Sequence, residues 1–289
     1  MAASRFVRRG DASSPGPIKV DITPHNAGWG WSGLRVVELG AGDAMSFDSQ
    51  VNEMLVLPLS GSFDVNCGTE EAHLVGRDSV FTGVSDFVYI GVGRSAMVSS
   101  DDGGRIALPA SRASRELPFR YVPASEVSVE LRGSGSSSRQ VNNFCTPDTF
   151  EADRLIACEV LTPGGNWSSY PPHKHDEESD GETALEEIYY FEVADGPSGP
   201  GMAYQRVYGT DEKPIDVLAE VRTGDAVLIP YGWHGPSIAA PGYDLYYLNV
   251  MAGPGPERAW RICDDPSHAW VRQTWTDQDV DPRLPLTSA

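Results

Sequence analysis

His173 and His175 flank a single lysine, and side chains at i and i+2 of an extended strand point to the same face. Two imidazoles so placed can reach one point. Glu186 and Glu187 open an aromatic run through Ile188, Tyr189, Tyr190 and Phe191, and either can bring a carboxylate oxygen from a neighbouring strand. Farther on, His234 follows a turn containing Pro230 and Gly232, which can return a third imidazole to the same place. Three nitrogens and one oxygen suit a single divalent cation such as Zn, Mn, Fe, Ni or Co, with positions left for water or substrate, and the donors do not choose among these metals. A lone histidine would read as a core residue; three of the chain's 6 histidines share this arrangement.

The surrounding sequence is built to hold such a site on strands. Short apolar runs rich in Val, Tyr, Phe and Ile, such as 54–59, 86–90, 185–193, 226–229 and 245–250, are broken by Gly, Pro, Asp or Ser. With 30 glycines and 22 prolines the punctuation favours many strands joined by turns, an all-β fold. Helix is expected only near 124–127 and 256–262. The Gly- and Ser-rich stretch 132–139 lies near the middle of the 289 residues and is expected to mark the boundary between an N-terminal domain, 1–131, and a C-terminal one, 132–289. The alternative reading is that Arg132 or Arg139, with the backbone amides between them, lines an anion site. The two halves share an order of elements: a Gly-rich turn, a Glu-led strand, then a second Gly turn. In the first half Ser46, Phe47 and Asp48 stand near the place of the histidine pair, and Ser85 or Asp86 near that of His234, which predicts a scaffold without a metal.

The chain carries 41 acidic and 22 basic residues, a formal charge of -19. Such a balance repels phosphate backbones and anionic lipid, so nucleic acid and membrane surfaces are not expected partners. If the substrate is an anion, its pocket must be locally basic. No run approaches the roughly 18 apolar residues of a membrane helix, and the 4 cysteines show no paired spacing, so a cytoplasmic protein with reduced thiols is expected. A homo-oligomer is left open.

The histidine pair, following glutamate, and proline-glycine turn before a further histidine resemble the two cupin motifs. Longer phrases at 167–176, 185–190, 205–208, 242–254 and 265–270 resemble the 5-deoxy-glucuronate isomerase family of inositol catabolism, whose relatives include a ketol-isomerase of pectin breakdown. The resemblance implies a bicupin of two jelly-roll β-barrels, the first degenerate and the second metal-binding. It also implies a small sugar-acid substrate: 5-deoxy-D-glucuronate would be converted to 5-dehydro-2-deoxy-D-gluconate through a metal-stabilised enediolate. The cupin pattern favours Glu187 as the ligand beside His173, His175 and His234, because Glu186 would lie on the opposite strand face.

The base that carries the proton from C2 to C1 is expected among Glu186, Tyr190, Tyr246 and Lys174. Lys174, Gln205 and Arg206 are the expected substrate contacts, with Arg206 first in line for the carboxylate. An Fe-dependent cupin dioxygenase and a sugar-binding module are the competing classes.

Overall fold

The computed structural model describes residues 5–288, and antiparallel strands dominate it. The second half folds as two facing sheets. One has seven strands in the order Phe6–Val7, Ala226–Ile229, Glu186–Val193, Leu245–Ala252, Ile156–Thr162, Arg139–Cys145 and Ser128–Arg132. The other places Asp216–Val221, Ala203–Tyr208, Trp233–Ala239, His173–Lys174 and Cys263–Asp264 side by side, with Trp167–Ser168 paired to Trp233–Ala239. The first half curls into one nine-stranded sheet around Asn52–Cys67, a strand long enough to pair with partners on two sides of the unit.

Three apolar clusters follow from this layering. One fills the first unit around Val56, Phe63 and Val98, and another fills the second between its two sheets around Phe191, Val207 and Leu245. The third joins the units, with Leu55, Leu57 and Tyr89 of the first packed against Ile188, Tyr190, Tyr246 and Leu248 of the second. Glu186–Val193 and Leu245–Ala252 are therefore covered on both faces and are buried almost throughout. By contrast Asp216–Val221 alternates exposed and buried residues, as a strand with one wet face should.

Buried charges also cross between the units, each with a partner. Glu53 of the first unit accepts bonds from the backbone N–H groups of Asp153, Arg154 and Leu155, and from the Tyr89 hydroxyl. In return, Glu186 of the second accepts from the N–H groups of Gly30, Trp31 and Ser32 at 2.7 to 3.1 Å. Arg77 forks onto Glu159 at 2.8 and 2.7 Å, a pair whose side chains are 2% and 0% exposed. Arg105 does the same with Glu192.

Two expectations are corrected here. Residues 132–139 are the turn of a hairpin between Ser128–Arg132 and Arg139–Cys145, so strand Ser128–Arg132, expected with the first half, bonds into the second unit's sheet. The N-terminal strand Phe6–Val7 pairs with Ala226–Ile229 of that same sheet. Residues 256–262 form no helix; among the described residues the helical turns lie at Pro24–Ala27, at Ala124–Glu126, as expected, at Gly135–Ser137 and at Ala269–Asp277. Among the described residues no helix is long and apolar enough to cross a membrane.

Replacing Arg77 by Met leaves Glu159 buried without its cation, bonded by the Asn142 amide. Unfolding in urea should show a loss of roughly 3–5 kcal/mol, most of it recovered in Arg77→Met/Glu159→Gln. A loss below about 1 kcal/mol in the single variant would show that the pair does not tie the units.

Candidate metal centre

The short strand His173–Lys174 lies between Trp233–Ala239 and Cys263–Asp264, and its register sets His173 directly opposite His234. His175 follows as the chain turns away, and its carbonyl accepts a bond from the Leu185 N–H at 2.9 Å. Between them the acidic loop 176–185 folds back on itself. Glu182 takes the Lys174 ammonium with both oxygens at 2.9 Å and the N–H of Asp176 at 2.7 Å. Asp176 in turn accepts from Gly232 N–H at 2.9 Å and so fixes the turn before His234. Just past His234, Gly235 takes φ 95°, where a Cβ would fall 1.7 Å from the Ser169 carbonyl oxygen.

Ligand atoms of His175, Glu187 and His234 lie within 4.8 Å of one another, all three residues being buried. His173 stands beside this group and outside it, its ring centroid 4.4 Å from that of His234. Each histidine points its Nδ1 at a backbone carbonyl: Pro171 for His173, Leu185 for His175 and Gly232 for His234, at 3.1 to 3.3 Å. A carbonyl only accepts, so each Nδ1 is the nitrogen placed to donate, and Nε2 of His175 and of His234 is the one that faces Glu187. His234 Nε2 is 3.1 Å from the Glu187 carboxylate yet has no aligned hydrogen bond. His175 Nε2 lies 3.0 Å from the same carboxylate, and the three side chains together could hold a cation.

Burial would raise the Glu187 carboxyl, but His175 and His234 outweigh it and bring its pKa to about 2. Burial and the neighbouring imidazoles push His173 well below its ordinary value, so it stays neutral. Behind Glu187 stands Asn249, whose amide donates to Oε1 at 2.7 Å and leaves Oε2 to the imidazoles. Cys158, a thiol that burial lifts to about 12, donates to that Asn249 amide at 4.0 Å.

A cavity of about 500 Å³ opens on the site, with His173, Asn249, Tyr189, Tyr247 and Ser169 in its wall. The Ser169 hydroxyl lies 2.9 Å from the Tyr189 oxygen and 3.1 Å from that of Tyr247. These are the phenols that reach the pocket. Tyr190 and Tyr246, expected there, point through the sheet into the core between the units, where Tyr190 donates to Glu192.

Other expected contacts are also redirected. Glu186 is held by the three amides of the first unit and does not face the metal group. Lys174 turns outward into the ion cluster with Asp176 and Glu182. Arg206 lies on the outer face, paired with Asp216 and stacked on Tyr208, while Gln205 is buried and accepts from Ser237. Sequence reading missed Tyr189, Tyr247 and Asn249. A signal existed for Tyr189, since a strand that turns Glu187 inward turns residue 189 inward as well.

The model of the KduI/IolB family matches residues 6–271. A 5-deoxy-glucuronate isomerase of Geobacillus kaustophilus is 39% identical over 258 residues, covering 88% of this chain and 91% of the relative. A crystal structure of an IolB-like protein from Salmonella typhimurium LT2 superposes with a TM-score of 0.84 at 34% identity, covering 93% of this chain and 99% of that one. Oxalate decarboxylase of Lactobacillus farciminis shares the fold alone, with a TM-score of 0.62 at 12% identity over 91% of this chain and 89% of that one.

The two glutamates make separable predictions. Metal analysis of purified Glu187→Gln should find the site largely empty, and Asn249→Ala should weaken metal binding about 10- to 100-fold. Glu186→Gln should keep its metal. Loss of metal from Glu186→Gln with retention in Glu187→Gln would exchange the two roles.

Proposed function

The chain belongs to the KduI/IolB family, and on that premise we propose that it isomerises 5-deoxy-D-glucuronate to 5-dehydro-2-deoxy-D-gluconate, a step of inositol catabolism, with one divalent metal per chain. The two units are read as cupin barrels, the second carrying the metal on His173, His175, Glu187 and His234. The observation that carries the reading is the convergence of His175, Glu187 and His234, beside a cavity whose wall includes their neighbours His173 and Asn249. A divalent cation held there would supply a Lewis acid to the open-chain sugar acid.

The chain's own residues manage the hydrogens. Burial raises Tyr247 and lifts Tyr189 well above the ordinary range, so both phenols keep their protons and donate to sugar oxygens. Ser169, bonded to both, lets a proton pass from O2 to O1 along hydroxyls. The carboxylate in the cavity wall, Glu130, is bonded to Arg132, which holds its pKa down. Glu186, Tyr190, Tyr246 and Lys174 face elsewhere. Among the described wall residues, therefore, no free carboxylate is poised to take the proton from C2. Movement of the C2 hydrogen with its electron pair directly to C1, coupled to proton passage from O2 to O1, needs no such base and balances the isomerisation.

Running the reaction in deuterated water separates the routes. Nuclear magnetic resonance of the ketose should find the original hydrogen at C1 with little deuterium. Deuterium at C1 would overturn direct transfer and put a base in the cavity, leaving the isomerase reading in place. Turnover that depends on oxygen would remove that reading in favour of a dioxygenase.

A further inference from the structure

Arg139 opens its strand 8% exposed and enters the wall of the cavity that holds His173. Its guanidinium donates to the Ser137 carbonyl at 3.0 Å and, among the described residues, meets no carboxylate. The neighbouring cations differ. Arg132 is bonded to Glu130 at 2.8 Å, and Arg272 forks onto Asp264, so each is already neutralised. Burial first, then the charges of Arg132 and Arg272, brings Arg139 down to about 10, still a cation at neutral pH.

A buried cation without an anion is costly, and it is least so where a ligand brings the anion. Two further donors share the wall: the indole N–H groups of Trp260 and Trp275 are buried and have no acceptor among the described residues. The Trp275 ring lies 5.6 Å from the Arg139 guanidinium carbon and 5.2 Å from that of Arg272. Gly133, at φ 73°, lets the hairpin turn close over the guanidinium; a Cβ there would sit 2.7 Å from an Arg139 nitrogen. On a chain of net charge -19, this recess is locally basic.

We propose that Arg139, with the indole N–H groups of Trp260 and Trp275, binds the carboxylate of the sugar acid and so fixes which end of the substrate reaches the metal. The inference rests on the isomerase reading for its substrate and names the residues that would select an acid over a neutral sugar. A planar guanidinium offers two parallel donors to a carboxylate, a geometry that an ammonium cannot copy.

The test uses the metal-loaded protein with D-glucuronate and D-glucose as a matched pair of probes that differ in the carboxylate. Quenching of tryptophan fluorescence should show wild type preferring the acid. Arg139→Met should lose that preference, raise KM for 5-deoxy-glucuronate about 10- to 100-fold and retain its metal. Trp275→Phe, which keeps the ring and removes the donor, should lose a smaller share of the preference and serves if Arg139→Met fails to fold. Unchanged acid preference in a folded Arg139→Met, or in Trp275→Phe where the arginine variant does not fold, would overturn the carboxylate site while wild-type isomerisation upholds the activity. Wild type that prefers D-glucuronate through Arg139 but leaves 5-deoxy-glucuronate unconverted would uphold the site and overturn the activity.

Discussion

Glu186 and Glu187 are adjacent on one strand, and a strand must send adjacent side chains to opposite faces. That constraint divides the molecule. Glu187 faces the imidazoles, and with it Tyr189 and Phe191 face the interior of the second unit. Glu186 reaches the backbone amides of the first unit, while Ile188 and Tyr190 pack against that unit's sheet. One strand thus forms a wall of the candidate metal site and a stretch of the seam between units, and slipping its register by one residue would exchange the two.

The seam explains why the site is held so firmly. Glu53, Glu159, Glu186 and Glu192 are each met by two or more donors from the other unit, and the fully buried ones would be intolerable alone. Between the charges lies a continuous apolar cluster drawn from both halves. The first unit therefore supplies the backing of the sheet that carries Glu187, Asn249 and the two cavity phenols. The acidic loop 176–185 supports the other side, using Lys174 and Asp176 to set the turn that presents His234. A carboxylate oriented by an amide and imidazoles oriented by carbonyls leave little freedom in the donor set.

The convergence of His175, Glu187 and His234 was legible because metal chemistry would demand residue types that are rare in a core and a spacing tied to strand geometry. His173, His175 and His234 stood out on those grounds, and strand parity separated the two glutamates. The same parity applied consistently would have chosen Tyr189 over Tyr190, and would have set Arg206 outside a strand whose Ala203, Gln205 and Val207 are buried. Tyr246 against Tyr247 was a different case. Leu245–Ala252 is covered on both faces, so no alternation of polar and apolar residues marks its inner side. Arg139 was named only as one of two arginines of an alternative anion site, since a Gly- and Ser-rich run reads equally well as a linker. What closes that run into a turn is distant in sequence, including a bond from Gly135 N–H to the Asp279 carbonyl.

The central claim is that one cation, held by lone pairs converging from three strands and a turn, makes this fold an isomerase. Its most direct test is to strip the protein with chelator and titrate a divalent metal back without oxygen, following ketose formation from 5-deoxy-glucuronate. Turnover should be negligible without metal and should rise to saturate at one equivalent per chain. Undiminished turnover by the metal-free protein, or a requirement for two equivalents, would contradict that claim.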